Sequence, residues 1–326
     1  MKRLIGLNIV AALVASLAVV AAADASTRLS GAGATFPSKI YTRWFADFSK
    51  EKGGHRVNYQ AIGSGSGRKA FLDQTVDFGA SDDPMKPQDI AKAERGLVQI
   101  PMTGGTIVFG YNMPGCDLKL TQEQAVQIAI GEINNWSQVG CEDKTMLWVY
   151  RSDGSGTTAS FTSSMQAFSK KWTLGTGKSV AWPVGVGAKG NAGVAGNIRN
   201  QVGSIGYINQ SYVKNEIKPA AIKNQWGDFI LPNLKSGAIA LNGITLDENL
   251  AGTDPNPKAE GAYPIATLTW ILAYETGNGK KTEALKETFN KLLSDEYQAK
   301  ASRLGYVPLK GDILEKARKA VERISK

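Results

Sequence analysis

An α/β architecture of two lobes is the fold class this sequence predicts, on three observations. Strands alternate with helices from position 29 to 95. Two long apolar extended segments, 97–111 and 264–274, lie far apart in the chain. One device, a strand running into a small polar turn and then a helix start, occurs three times. The alternation argues for a largely parallel sheet with helices packed on it. The extended segments read as crossings, so the chain is expected to leave one domain, build a second and return. Domain I is then 26–103 plus 265–326, and domain II is 104–264. A chain of 326 residues has room for two domains, and 42% hydrophobic against 21% charged residues excludes disorder.

Positions 1–25 stand outside that fold. Lys2 and Arg3 precede an apolar run over 4–20, and Ala23-Asp24-Ala25 is a small-x-small cleavage site, with Ala21-Ala22-Ala23 as its alternative. This is the pattern of a secretory signal peptide. A retained membrane anchor is the rival, disfavoured because no basic stop-transfer flank follows. The cleaved chain is expected to be exported. Losing the basic Lys2 and Arg3 and the acidic Asp24 takes the formal charge from +9 to +8. A basic surface suits anionic partners. Nucleic acid is excluded as one, because no basic run is interleaved with aromatics.

The elements follow in order. Leu29 to Thr35 is a strand end of small residues. Pro37 opens a helix whose face is Ile40, Tyr41, Trp44, Phe45 and Phe48 at a 3.6 period. Gly53-Gly54 stops it. Val57, Tyr59 and Ala61 alternate as a strand, and after the turn 63–67 comes a short helix with Ala70, Phe71 and Leu72. A strand over 76–81 ends in Asp82-Asp83-Pro84, and Pro87 opens a helix over 88–95 closed by Gly96. Thr121 with Gln124 is a capping-box signal for a helix to about Gly131. The apolar run 146–150 is a buried strand, followed by Arg151-Ser152-Asp153-Gly154-Ser155-Gly156-Thr157 and a helix marked by Phe161, Met165 and Phe168. A helix over 191–201 and a strand over 203–208 come next, and 209–262 shows no clear pattern. Thr282 caps a helix with Leu285, Phe289, Leu292 and Leu293 on one face. Asp312 with Glu315 opens a last helix that turns Ile313, Ala317, Val321 and Ile324 inward.

The three turns are Gly33-Ala34-Thr35-Phe36, Gly63-Ser64-Gly65 and Gly154-Ser155-Gly156-Thr157. Each presents backbone N–H groups at a helix start, which favours an anion. Taken singly, each also reads as an ordinary N-cap loop. In open α/β sheets ligands lie beyond the carboxyl ends of strands, so the turns can converge on a cleft between lobes. Arg151 adds a fork of donors. The chemistry offered is many neutral donors, one arginine and no base–nucleophile pair. That fits holding an oxyanion and argues against an enzyme.

Other motifs fall short. Thr176-Gly177-Lys178-Ser179 resembles half a P-loop, but Trp172 stands where the first glycine belongs. No Gly-x-Ser-x-Gly elbow is present. His55 is the one histidine, expected in a solvated loop, so no zinc or other metal site is expected. Cys116 and Cys141 form an even pair in an exported chain and are expected to be bridged, with two free thiols as the alternative.

Four stretches together carry a resemblance: Leu29-Ser-Gly-Ala-Gly-Ala-Thr-Phe-Pro37, Val57-Asn-Tyr-Gln-Ala-Ile-Gly-Ser-Gly65, Val76-Asp-Phe-Gly-Ala-Ser-Asp82 and Arg151-Ser-Asp-Gly-Ser-Gly-Thr157. Trp182-Pro-Val-Gly-Val-Gly187, Lys189-Gly-Asn191 and Gly203-Ser-Ile-Gly-Tyr207 add to it. The chain resembles the periplasmic phosphate-binding proteins of high-affinity phosphate ABC transporters. The resemblance implies a type II periplasmic-binding-protein fold with two hinge crossings. It implies a periplasmic monomer that binds inorganic phosphate between its lobes, without a cofactor, and delivers it to the permease subunits in the membrane. The implied phosphate contacts are Thr35, the Phe36 backbone, Ser64, Asp82, Arg151, Ser155, Gly156 and Thr157, with Asp153 supporting Arg151. Another oxyanion (sulfate, arsenate or molybdate) is the alternative ligand, and a phosphoester hydrolase the alternative class.

Asp82 is the unusual member. A carboxylate accepts hydrogen bonds only; phosphate at neutral pH keeps a proton to donate, and sulfate keeps none. Asp83 is the rival carboxylate, expected on the opposite face of the strand. The pattern departs from the family at Gly65-Ser66, where Ser-Gly is common, and in Asp83 and the cysteine pair.

Overall fold

The computed structural model describes residues 26–326. The expected signal peptide and its cleavage sites lie outside the described residues. The first lobe begins with β1 (Arg28–Gly33), α1 (Ser38–Phe48), β2 (Arg56–Ala61), α2 (Ser64–Leu72), β3 (Phe78–Ser81) and α3 (Pro87–Ile90), and leads into β4 (Val98–Asn112). There follow β5 (Lys119–Leu120), α4 (Gln122–Ile130), β6 (Leu147–Arg151), α5 (Gly156–Phe168), β7 (Val186–Ala188), α6 (Gly190–Asn200) and β8 (Ser204–Asn209). Next come β9 (Lys218–Pro219), β10 (Ala221–Lys223), β11 (Phe229–Ile230) and α7 (Leu234–Asn242). The chain returns in β12 (Ala266–Ala273) and ends with α8 (Thr282–Leu292), α9 (Asp295–Ala301) and α10 (Gly311–Val321).

One strand serves both lobes. The main sheet runs β2-β1-β3-β12-β4-β8-β6-β7. β4 pairs antiparallel with β12 from Val98 to Thr106, then with β8 from Ile107 to Asn112. β1 lies parallel to β2 and β3, and β6 parallel to β7 and β8, so each lobe keeps a parallel set whose strand ends face the same gap. β4 is buried along its whole length, and its uninterrupted apolar character follows from cover on both faces.

Sequence chemistry accounts for most elements. α1 buries Ile40, Tyr41, Trp44, Phe45 and Phe48, and Phe78 meets Phe45 and Phe289. α4 starts with a reciprocal capping box between Thr121 and Gln124 and stops at Gly131, which sits at φ +83° where a side chain is disfavoured. Cys116 and Cys141 are bridged, with Cα atoms 5.4 Å apart and a separation of 25 residues. A loop of this length predicts a cost of roughly 3 kcal/mol on removal, in the chain-entropy model. The double variant Cys116→Ser/Cys141→Ser is therefore expected to unfold at lower denaturant concentration, with an m-value equal or higher because the uncrosslinked unfolded chain expands further. An unchanged midpoint would refute this.

Four expectations need correction. The helix expected over 88–95 is the single turn α3, because it has no buried face; Arg95 instead lies 3.8 Å over the Tyr274 ring and donates to the Gly277 carbonyl. Thr282 does not cap α8 through its side chain but donates to the Gly279 carbonyl, with Lys281 in the cap position. Helix α10 ends at Val321, so Ile324 is buried from the turn beyond it, and Leu314 takes the inward place expected of Ile313. His55 is buried, not solvated: Nδ1 accepts from Thr27 N–H at 3.3 Å, which leaves Nε2–H to meet Glu287 at 2.7 Å. Within 209–262, the hairpin β10–β11 joins β5 in a small second sheet, and α7 packs Leu241 against Gly104 of β4. No helix of the described residues is long and apolar enough to cross a membrane.

Candidate functional site

The three polar turns meet. The turn after β1 brings Thr35 and Phe36, the turn after β2 brings Ser64, and β3 ends at Asp82. From the other lobe come Arg151 at the end of β6 and Ser155, Gly156 and Thr157 at the start of α5. Apart from the half-buried Asp153, all of the sequence-predicted site residues are buried. The lobes touch directly: Gly65 N–H donates to the Gly154 carbonyl at 2.8 Å.

Arg151 is held from behind. Its Nε and Nη2 donate to the two carboxylate oxygens of Asp153 at 2.7 and 2.6 Å, a bidentate pair, and Nη1 faces Thr157 Oγ1 at 3.5 Å. Burial pushes the Asp153 carboxyl up, but Arg151 and the Gly190 N–H outweigh it and hold the group below its usual range. Tyr207 accepts from the Arg151 backbone N–H at 3.1 Å and shares a 2.7 Å hydrogen bond with Thr158; burial pushes its phenol up to about 12.

Asp82 is the acceptor among donors. Oδ1 accepts from Thr269 at 2.8 Å, Oδ2 lies 3.4 Å from the Thr157 hydroxyl, and its own N–H donates to Ser64 Oγ at 3.2 Å. Burial dominates its titration and pushes the carboxyl up to about 7, against the pull of the Thr269 hydroxyl, the Arg151 charge and Thr157.

Ser155 caps α5, its Oγ accepting from Thr158 N–H at 3.0 Å, which leaves the hydroxyl proton free to donate. Among the described residues, the backbone N–H groups of Phe36, Gly156 and Thr157 meet no acceptor. The Phe36 ring itself packs edge-on against Tyr306, so only its backbone is available. Gly156 is required for approach: a Cβ there would lie 2.5 Å from Ser64 Oγ and 2.8 Å from the Asp82 backbone nitrogen.

Two residues escaped sequence reasoning. Asn191 bridges the lobes, its amide nitrogen 3.0 Å from Thr35 Oγ1 and 3.1 Å from Thr157 Oγ1, while its oxygen accepts from Asn209 N–H. An amide directly after a glycine at a helix start was the available signal. Thr269 lies on β12, and only the pairing of β12 beside β3 brings it to Asp82. Asp83 turns away, to Arg68 at 2.8 Å and Lys178 at 3.5 Å. The half P-loop 176–179 cradles nothing: Gly177 N–H donates to Thr162, and the Lys178 carbonyl accepts from Ser155 N–H. No group of metal-ligating side chains occurs among the described residues.

Comparison with known proteins bears on the family and the fold. The family model for the PBP superfamily domain matches residues 20–296. A phosphate-binding protein PstS of Pasteurella multocida is 36% identical over 308 residues, covering 88% of each chain. A phosphate-binding protein PstS of Methanocaldococcus jannaschii is 29% identical over 337 residues, covering 90% of this chain and 85% of its own. Among solved structures, a high affinity periplasmic phosphate-binding protein bound with phosphate superposes with a TM-score of 0.76 at 19% identity, over 90% of this chain and 93% of that one. A Clostridium perfringens substrate-binding protein with bound phosphate gives 0.67 at 18% identity, over 87% and 100%. At those identities the structures speak for the fold. The fold is thus a two-lobed periplasmic-binding-protein fold, and by sequence identity sustained over nearly its whole length the chain belongs to the PstS family of phosphate-binding proteins within the PBP superfamily.

Proposed function

We propose that this chain binds inorganic phosphate between its lobes and delivers it to the membrane permease of a phosphate ABC transporter. One observation carries the reading: donors from both lobes gather about Asp82, the one fully buried carboxylate among the described residues. Thr35, Ser64, Ser155, Thr157, Arg151 and the unpaired N–H groups of Phe36, Gly156 and Thr157 suit the oxygens of a tetrahedral anion. Asp82 suits the one oxygen that keeps a proton. Asn191 joins the set as a residue that ties Thr35 to Thr157 when the lobes meet. The protein acts by binding alone, as an exported monomer released from its signal peptide into the periplasm. Its lobes, 26–103 plus 265–326 and 104–264, rotate about the two crossings where β4 and β12 pair.

Calorimetric titration with phosphate, arsenate and sulfate tests the reading. Saturable binding of one phosphate per chain is expected, and no heat with phosphate would end it. A chromogenic phosphoester assay tests the absence of turnover. Hydrolysis that survives repurification and vanishes in Arg151→Ala would make the chain an enzyme.

Closure supplies a further expected result. In Gly156→Ala the new methyl meets the Asp82 backbone, which cannot rotate aside as a side chain can. The lobes then stop short by a few tenths of an ångström, enough to lengthen every hydrogen bond across the cleft. Phosphate affinity is expected to fall about tenfold or more, with folding stability little changed. Wild-type affinity in this variant would show that binding does not require the lobes to meet here.

A further inference from the structure

A charged chain crosses the cleft outside the anion site. Arg68 is buried on α2 and fixed by acceptors: the Asp83 carbonyl, the Asp83 carboxylate at 2.8 Å, the Pro84 carbonyl at 2.8 Å and Ser81 Oγ at 3.3 Å. It holds the Asp83 carboxylate at the lip of the first lobe. Lys178 reaches that carboxylate from the second lobe, at 3.5 Å. Among the described residues this is the one ion pair that joins 26–103 plus 265–326 to 104–264.

Both ends are tied to the site. Asp83 follows Asp82 directly. The Lys178 backbone carbonyl accepts from Ser155 N–H at 2.9 Å, and its neighbour Gly177 donates to Thr162 on α5 at 3.1 Å. The pair therefore reports whether the Asp82 edge and the Ser155 turn have come together. It lines a side cleft of about 440 Å³ with Arg68, Lys86, Asp89 and Ser163, beside the site and open to solvent. Neither side chain makes a hydrogen bond to the predicted contact residues.

We propose that Arg68, Asp83 and Lys178 form a latch, closed by the Asp83–Lys178 pair, that holds the lobes together and slows the escape of whichever anion is bound. The proposal rests on the reading that the cleft binds an oxyanion. Asp83 and Lys178 are positioning residues. The closed lobes bring their charges together and opening parts them, so the pair favours closure only. Both side chains are partly exposed, so the effect is modest and screened by salt.

The test is a double-variant cycle on full-length mature protein, read as the dissociation rate of whichever oxyanion the wild type binds. At low salt Lys178→Gln is expected to speed escape about threefold to fivefold, with Asp83→Asn similar and the double variant no faster than either. Lys178→Arg should restore the wild-type rate, and high salt should erase the differences. The ratio of phosphate to sulfate affinity should stay at its wild-type value in the Lys178 variants, which a structural defect in the site would not preserve; Asp83→Asn is read by its escape rate alone, because the Asp83 charge also helps raise the Asp82 carboxyl. Unchanged escape in Lys178→Gln, additive effects in the double variant, or an effect indifferent to salt overturns the latch and leaves the binding reading intact. If wild-type protein binds no oxyanion at all, both fall together.

Discussion

Arg151→Ala is expected to weaken phosphate binding by about a hundredfold or more. The guanidinium is buried and pre-aimed: Asp153 takes Nε and one side of Nη2, so the remaining N–H groups face the cleft in a fixed direction. A hydrogen bond to a charged group contributes about 1.5–3 kcal/mol. Two lost together amount to roughly 3 kcal/mol at the low end, or about two powers of ten in the dissociation constant. Truncation also leaves the Asp153 carboxylate beside the site with the Gly190 N–H as its main remaining partner, a negative charge facing an anion.

Arg151→Lys should rescue little, because a lysine cannot sit in the planar fork that Asp153 holds. The double variant Arg151→Ala/Asp153→Ala is expected to bind better than Arg151→Ala alone, since the unpaired carboxylate goes with it. Calorimetry on the three variants separates the parts. A dissociation constant for Arg151→Ala within threefold of wild type would remove Arg151 from the site.

What the sequence made legible follows the range of each interaction. The turns at 33–36, 63–65 and 154–157 are local devices, and glycine, small hydroxyls and the helix starts beside them identify each from a few residues. The long strands β4 and β12 show as apolar runs because both their faces are covered. Thr269 was not legible. It is one threonine in a buried strand until the antiparallel register sets Trp270 against Ser81 and brings it to Asp82. Asn191 needed the position of α6 relative to two other turns. His55 misled because a Gly-Gly-His-Arg turn looks solvated, and nothing local announces Glu287 or the edge-on contact with Phe48. The helix expected over 88–95 failed for the opposite reason: Pro87 marked its start correctly, but no buried apolar face existed to carry it beyond Ile90 to Gly96.

Asp82 is expected to set the choice between phosphate and sulfate, in a way that depends on pH. Against an ionised Asp82, sulfate at contact would meet a repulsion on the order of 4 kcal/mol at an effective dielectric of about 20. A second route avoids it: Asp82 takes up a proton from solvent and, as the neutral acid, donates a hydrogen bond to sulfate. Burial pushes that carboxyl up to about 7, so the route is open near neutral pH. Its cost grows by about 1.36 kcal/mol for each unit above that value. Proton uptake is therefore the easier route until about three units higher, and it controls the selectivity that can be measured. Phosphate brings its own proton and needs no uptake.

Wild-type sulfate affinity should thus fall about tenfold per unit as pH rises above about 7, while phosphate affinity changes far less. Below about 7 the two should converge, because Asp82 is then an acid that donates to either anion. Asp82→Asn should make the sulfate profile flat and raise sulfate affinity above neutral pH, since the amide turns its donor to the anion, and should keep phosphate within about tenfold. Asp83→Asn should keep the wild-type slope, because its carboxylate faces Arg68 and Lys178, away from the site, and should only move the onset to lower pH, since the Asp83 charge helps raise the Asp82 carboxyl. Stability gives an independent reading of the same group. A carboxyl raised in the folded state destabilises it increasingly as pH climbs from the usual carboxylate range to about 7. Ligand-free Asp82→Asn should therefore melt above wild type at alkaline pH, with the gap closing as pH falls through that window. A sulfate dissociation constant indifferent to pH in wild type, or a slope lost in Asp83→Asn and kept in Asp82→Asn, would assign the selectivity to another group.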